Sequence, residues 1–463
     1  MSENTKKFRL FDAVLAAVCI ILVVESVAPA AAIGNSQFFW WIFILIGFFL
    51  PYGLISAELG TTYEGEGGIY DWVKRAYGEK WGSRIAWYYY INFALWVGSL
   101  AVLFTDVITQ ISGVQFNTFT AIIIQLAFIW AVVGISCFKV SDSKWILNIA
   151  ALFKAIIMLT IGGLGIYVAV TKGTANEFTP QSLMPSLNVT SLSNISVIIF
   201  NFLGFEVVTT FASEMKNPGK EIPQAIILGG IFIAAFYLLA AFGIGVAIPV
   251  EELSLSSGLL ESLMLLSGQT SGPLIVIFGL MFLYTIMSNL ISWSLGVNFV
   301  VRYAARQNSL PSPFAKSSKK NDMPIGANIA NGIVATLMVL AAPIIPSPDI
   351  FWSFFALNMV MLLVSYVVMF PAFLKLRDID PDIERPFKVK GGRTKLLWMT
   401  YLPMVLLLIS IIFSIVPLNM SQEELSSKIP LLIGTILTII IGEIIAYQSV
   451  MKNKRLNNIQ QEE

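Results

Sequence analysis

Apolar residues along this chain come in long unbroken runs, neither alternating as in a half-buried strand nor confined to one stripe of a surface helix. Runs of about 20 apolar residues are what a helix needs to cross a bilayer. Twelve are legible: 12–33, 38–59, 83–112, 117–137, 144–170, 192–211, 223–248, 271–303, 325–345, 349–374, 396–418 and 428–450. The third and eighth are longer than a perpendicular span requires and predict tilted helices. Between spans two and three, Ile69, Trp72, Val73 and Ala76 recur at helical spacing within a charged stretch, which predicts an amphipathic helix on the membrane surface. The segment 250–265, with Glu251, Glu252, Leu259, Leu260 and Leu263, allows a second one after span seven.

Polar residues interrupt two of the runs. Val23-Val24-Glu25-Ser26-Val27-Ala28-Pro29 places a carboxylate near the middle of the first span, four residues before a proline. An ionised Glu in hydrocarbon costs at least ~2.5 kcal/mol, and Pro29 removes a backbone donor and crowds the preceding turn. Such a stretch is tolerated where it faces protein or a water-lined cavity, so it predicts a helix broken beside a site near the bilayer midplane. The plainer alternative is a proline kink whose Glu bonds to a neighbouring helix. In the sixth span, Gly204 beside Glu206 marks a second break, and Asn217-Pro218 and Ile222-Pro223 close that span and open the next. The chain then reads as two copies of opposite orientation: 12–170 (spans one to five) and 192–374 (spans six to ten), each opening on an acidic broken helix. Residues 396–450 hold two further helices outside the repeat, as scaffold or dimer contact, and 1–11 and 451–463 are tails.

Lys and Arg fix the orientation, because cytoplasmic segments collect them. With the N-terminus inside, every Lys and Arg of the 29 falls on the inner side except Lys172 and Lys428, outside, and Lys154, within span five. Both termini are thus expected in the cytoplasm. Composition agrees: 56% of the 463 residues are hydrophobic and 12% charged, with mean hydropathy +0.78, whereas soluble domains carry roughly 25% charge. Lys6, Lys7 and Arg9 precede a full-length span, so no cleavable signal peptide is expected. A net charge of +1 points to no nucleic acid. Cys19 and Cys137 both lie in apolar segments, which indicates neither disulfide framework nor metal cluster. The absence of histidine excludes histidine proton relays and histidine-ligated metals. No phosphate-cradling loop, metal-ligand spacing or nucleophile triad appears, so no enzyme, cofactor or metal is expected. The expected partners are a small-molecule amine or amino acid and membrane lipid, with monomer and homodimer both open.

Gly204-Phe205-Glu206, followed by Glu214, Lys216, Asn217-Pro218 and Ile222-Pro223, resembles the sixth helix and following loop of the amino acid–polyamine–organocation (APC) superfamily. Gly67-Gly68-Ile69-Tyr70 through Tyr77-Gly78 resembles its first cytoplasmic loop, and the likeness extends over about residues 10–450. Glu25, Pro29 and Ala57-Glu58 are similar to the glutamate/GABA-antiporter branch, which also holds agmatine/putrescine exchangers. The resemblance implies a five-plus-five inverted repeat of the LeuT type, all-α, with broken helices 1 and 6 and alternating access. It implies substrate contacts at Glu25, Ser26, Trp96, Ser99, Phe200, Leu203, Gly204, Glu206 and Trp293, with Phe200 as an aromatic gate. One departure stands out. Most relatives carry a glycine-rich first break whose free N–H groups bind a substrate carboxylate, whereas Glu25 here repels a carboxylate and attracts an amine.

As a cation site, Glu25 makes a charge-assisted hydrogen bond to an ammonium or guanidinium; the alternative is a protonated, packed Glu. Glu206 is balanced between substrate contact and fixing its helix. Lys154 stands where some sodium-independent relatives place a lysine, which implies bracing of helices one and eight or carrying a coupling proton. Trp96, Phe200 and Trp293 around two carboxylates form a cation–π cage, worth ~0.5–2 kcal/mol per contact, unless each is ordinary packing. Tyr88-Tyr89-Tyr90 reads as interfacial belt or packing, Asp106 and Glu443 as structural, and the segment 377–395 as solvated linker. The expected function is a secondary transporter exchanging small cationic amines such as agmatine and putrescine. A glutamate/GABA-type or amino acid/amine exchanger of the same fold is the alternative, and a channel or non-transporting amine sensor the remaining one.

Overall fold

The computed structural model describes residues 10–63, 65, 67–138, 144–215, 217–347 and 349–462. The terminal segment 1–9 and the loop residues Lys139 and Lys216, which carry part of the charge pattern, lie outside the described residues.

Every regular element among the described residues is helical, as apolar segments require when the backbone has no water to bond. The first span is two pieces, α1 (Leu10–Ile21) and α2 (Val27–Ala31). Then α3 (Gln37–Ile44) passes through a π-helical turn, Leu45–Phe49, into α4 (Leu50–Thr62). The expected surface helix is α5 (Ile69–Tyr77), with Ile69, Trp72, Val73 and Ala76 buried. It leads to α6 (Glu79–Ser112), α7 (Thr118–Ser136) and α8 (Lys144–Thr171). The sixth span is α9 (Val189–Phe200) followed by a 3₁₀ segment, Phe205–Glu214. After it come α10 (Pro218–Ala247), the short α11 (Gly258–Ser267), α12 (Pro273–Arg306) and α13 (Ile325–Ala341). The tenth span is α14 (Ile350–Val367) continued by α15 (Met369–Ile379), and α16 (Arg393–Ile415) and α17 (Gln422–Glu462) end the chain. Among the described residues, eleven helices are long and apolar enough to cross a membrane. The first span is not among them because its halves, 12 and 5 residues, are each too short alone.

Both breaks fall where the polar interruptions predict them. At the first, Val23 is extended (φ −111°, ψ 102°). Its freed backbone groups are taken by the Tyr237 hydroxyl, which accepts from Val23 N–H at 3.0 Å and donates to Val23 C=O at 2.8 Å. Pro29 has no N–H for the carbonyl of Glu25, four residues back, so the helix cannot close across the site. At the second break Gly204 adopts φ +98°, and an added Cβ would stand 2.7 Å from the Trp293 ring. Glycine alone meets both demands.

The almost wholly buried α6 is the central post, with α12, α13, α14 and α17 packed on it. Polar residues join apolar helices at depth. Asn298 Nδ2 donates to Asn328 Oδ1 at 2.7 Å, Asn331 Nδ2 to Asn298 Oδ1 at 2.9 Å, and Asn328 Nδ2 to Ser136 C=O at 3.2 Å. These bonds tie α12, α13 and α7 as interhelical polar contacts do in a membrane.

Two sequence expectations need correction. The segment 377–395 is not a solvated linker, because charged partners dock its first half against the helix ends. Arg377 and Arg385 pair with buried Glu58, and Arg75 pairs with Asp380 at 2.7 Å. Tyr63 also donates to Asp380, and its phenol, pushed up to about 12 by burial and by that carboxylate, remains a donor at every physiological pH. Next, Tyr89 is neither belt nor plain packing, since its hydroxyl reaches Glu206. The last two helices, expected as scaffold or dimer contact, bear directly on the sixth span. Ser193 donates to Phe413 C=O and Ser414 to Ser196 Oγ, while Lys428 pairs with Glu424 at 2.8 Å and donates to Ser193 and to the Phe413 and Val416 carbonyls. Lys428 thus caps the end of α16 and anchors α9. Replacing it by alanine leaves Glu424 to the Leu418 and Asn419 N–H groups, and stability is expected to fall by ~1.5–3 kcal/mol, the range for a bond to a charged group. The thermal midpoint in detergent measures it. Glu443 is structural as expected, paired with Arg84 at 2.5 Å.

Candidate functional site

The two breaks meet. Ser26 in the first lies 2.7 Å from Oδ1 of Asn201, which caps α9 at the second, and 3.0 Å from the Tyr237 hydroxyl. Tyr237 is held in turn by stacking on Trp41 at 4.7 Å. The carbonyl of Ile20, freed by the first break, accepts from Trp293 Nε1 at 3.0 Å. Each interruption is therefore satisfied by residues of other spans, and the unwound backbone is held in a defined shape.

Glu25 sits at the first break, 2% exposed. The Asn289 amide on α12 lies 3.2 Å from both of its oxygens. Lys154 on α8, also buried, acts on this carboxylate through its charge. Among the described residues no lysine or arginine nitrogen comes within 4.0 Å of Glu25. With a backbone N–H at Glu25 itself also bonding the carboxylate, these two donors still leave lone pairs open to a further one.

Glu206 is placed differently. Tyr52 and Tyr366 donate to its two oxygens at 2.5 Å each, and Tyr89 adds a third bond at 3.3 Å. The Tyr52 hydroxyl also accepts from Gly204 N–H at 3.1 Å. These tyrosines come from α4, α6 and α14, so Glu206 fastens the second break to three helices.

Aromatic rings fill the space between. Trp96 meets Trp293 edge-on at 5.7 Å and Phe200 at 6.4 Å, and Phe200 meets Phe355 of α14 at 5.3 Å. Phe355 continues the series to Phe351 and Trp352 near the start of α14. All site residues are buried, so the site is closed, with these rings toward one end and the Glu206–tyrosine cluster toward the other. Of the remaining expected residues, Ser99 is buried and donates to Trp96 C=O at 2.9 Å, and Leu203 lies in the backbone of the second break.

Several residues of this site escaped the sequence reading. Asn289 and Asn201 are the partners just described. Asn358 on α14 is fully buried, and neither its amide nitrogen nor its oxygen has a partner among the described residues; Trp96 Nε1 and Asn201 Nδ2 are likewise without one. Asn358 lies one turn from Phe355 and two turns from Tyr366, on the face of α14 that reaches Phe200 and Glu206. A buried amide with all its bonding capacity open is costly unless something polar visits it. An asparagine within an apolar run was the available signal. For Tyr52, Tyr237 and Tyr366 there was none, since tyrosine in a membrane helix is commonplace.

Comparison with known proteins agrees with this architecture. The family model for amino acid permeases matches residues 8–441. A probable agmatine/putrescine antiporter of Lactococcus lactis subsp. lactis is 51% identical over 445 residues, covering 96% of this chain and 96% of that protein. A glutamate/gamma-aminobutyrate antiporter of the same organism is 26% identical over 483 residues, 96% and 90% of the two chains. A probable polyamine transporter of Arabidopsis thaliana is 22% identical over 395 residues, 83% and 73% of the two.

Proposed function

The chain belongs to the amino acid permease family, and from that premise we propose that it exchanges agmatine for putrescine across the cell membrane. The observation that carries the reading is Glu25: a buried carboxylate at an unwound point, held by the Asn289 amide and a backbone N–H, with no arginine or lysine contact within 4.0 Å among the described residues. An ammonium or guanidinium there gains a charge-assisted hydrogen bond, whereas a substrate carboxylate is repelled. Lys154 balances part of the charge from a distance and leaves the oxygens open. We read the remainder as a five-plus-five inverted repeat of twelve spans, working by alternating access with both termini in the cytoplasm. The clean division of Lys and Arg between the two sides supports that orientation.

A diamine or agmatine has a second positive end and no carboxylate. Trp96, Phe200 and Trp293 suit its stem and offer cation–π contact, and the Asn358 amide suits its far end. Glu206, already accepting from three hydroxyls, fixes the second break and closes the path on the basic side; those three bonds support the helix-fixing role over substrate contact. Glu206→Gln is accordingly expected to lower the thermal midpoint while changing agmatine affinity by less than about threefold. An affinity loss as large as that of a Glu25 variant would place Glu206 on the substrate.

The test is counterflow. Liposomes holding putrescine are expected to take up labelled agmatine, and liposomes holding glutamate or gamma-aminobutyrate are not. Uptake driven by internal amino acid but not by putrescine would overturn the proposal.

A further inference from the structure

Two loops, one at each end of the molecule, grip the same pair of spans. At the basic end the chain leaving α15 turns back on Glu58, near the end of α4 and 1% exposed. That carboxylate accepts from Arg377 Nε at 2.8 Å and Nη2 at 2.5 Å, and from Val389 N–H at 2.6 Å, and it pairs with Arg385 at 3.3 Å. Pro386 of the same loop lies on the first turn of α10, where an added Cβ on Gly219 would come within 2.3 Å of its carbonyl. At the opposite end the chain leaving α8 turns back on α10. Asn176 donates to the Gly245 and Ile248 carbonyls at 2.7 Å each, and its oxygen accepts from Val250 N–H. Phe178 packs between Phe242 of α10 and Phe38 of α3, while Asn35, just before α3, donates to Glu177 C=O.

The gripped spans are also those that hold the breaks. Tyr52 on α4 bonds Gly204 and Glu206, and Tyr237 on α10 bonds Val23 and Ser26. Through these bonds, movement of the broken helices would carry α4 and α10 along and shift both spans against one loop or the other. The grips differ in kind. The basic one is a buried carboxylate with two guanidinium partners, flanked by the Arg75–Asp380 pair. The opposite one is neutral amides and ring contacts. Charge-assisted bonds are the stronger class.

We propose that segments 377–389 and 174–182 are paired latches, each keeping its own end of the transport path shut and releasing when that end opens, and that the charged latch is the tighter lock. The inference rests on the exchanger reading, since only alternating access makes the two release in turn.

Thiol labelling tests it. A cysteine replaces Val14, buried in the basic-end half of the first span, in a background carrying Cys19→Ser and Cys137→Ser. Inside-out vesicles are treated with a membrane-impermeant maleimide, and agmatine–putrescine counterflow is measured in parallel. Asp380→Asn, which removes the negative charge that Arg75 and Tyr63 bond and leaves the Glu58 cluster intact, is expected to speed labelling several-fold. Glu58→Gln is expected to speed it roughly ten- to hundredfold, the range that one lost bond to a charged group allows. Phe178→Ala, at the other latch, is expected to slow it. Should Glu58→Gln fail to reach the membrane, Asp380→Asn and Phe178→Ala carry the comparison. Unchanged labelling in both, with counterflow intact, overturns the latches. Absence of counterflow in the parent protein overturns the exchanger reading instead.

Discussion

Glu25→Gln is expected to abolish agmatine–putrescine exchange while leaving the protein folded. Glutamine is nearly isosteric, and its carbonyl oxygen still accepts from Asn289, so the bond that now positions residue 25 persists. What disappears is the negative charge. Hydrogen bonds to charged groups contribute ~1.5–3 kcal/mol, so the loss weakens binding by roughly ten- to hundredfold from this source alone. A second effect adds to it. Lys154 now acts on that carboxylate through its charge; once the carboxylate is an amide, that attraction is gone and the lysine's positive charge opposes the entry of a cation. A thermal-shift titration separates binding from folding, because a ligand that binds only the native state raises the midpoint by mass action. Agmatine and putrescine are expected to raise it in the parent protein and not in the variant, with the ligand-free midpoint little changed. An undiminished amine shift would move the cation elsewhere and remove the physical basis for an amine substrate.

How far this site was legible beforehand follows from what each residue disturbs. Glu25 and Gly204 interrupt apolar runs, and a run of hydrocarbon length is so regular that any interruption stands out. Both breaks were therefore visible. The amphipathic α5 was visible for the converse reason, an apolar stripe within a charged stretch. Partners were not. Glu206 stayed balanced between substrate contact and fixing its helix because nothing in the sequence says that Tyr52, Tyr89 and Tyr366, from three distant spans, converge on it. The loop after α15 misled for a related reason. Its alternating Asp, Glu and Arg looked like solvated charge, yet the decisive residue, Glu58, stands more than three hundred positions earlier inside an apolar helix end. A lone acidic residue there was itself a hint that a basic partner must come to it. Long-range pairing of common residue types is the part that periodicity cannot supply.

Gly204→Ala is expected to be as damaging to transport as the loss of Glu25, for mechanical reasons. At φ +98° an L side chain is strained whatever space surrounds it, and left-handed backbone costs an L residue roughly 1–2 kcal/mol. Here there is no space either, since the new methyl carbon would lie 2.7 Å and 2.9 Å from two atoms of the Trp293 ring. That ring cannot swing aside cheaply, because it is held by its bond to Ile20 C=O and by its contact with Trp96. Overpacking of this kind costs typically ~1–3 kcal/mol, and it pushes Trp293 into the space between Trp96 and Phe200 where we place the substrate stem. Counterflow should fall to background, and the midpoint should drop by several degrees. A double variant with Trp293→Leu divides the two causes: relief of the clash restores part of the midpoint, the backbone strain remains, and transport stays lost because the indole is gone. Gly163→Ala is the control. That glycine lies within α8 with nothing inside 4 Å of its new methyl, so helix propensity alone predicts a midpoint equal to or slightly above that of the parent. Normal exchange by Gly204→Ala would mean that the second break can rewind without consequence, and the site would have to be built without it.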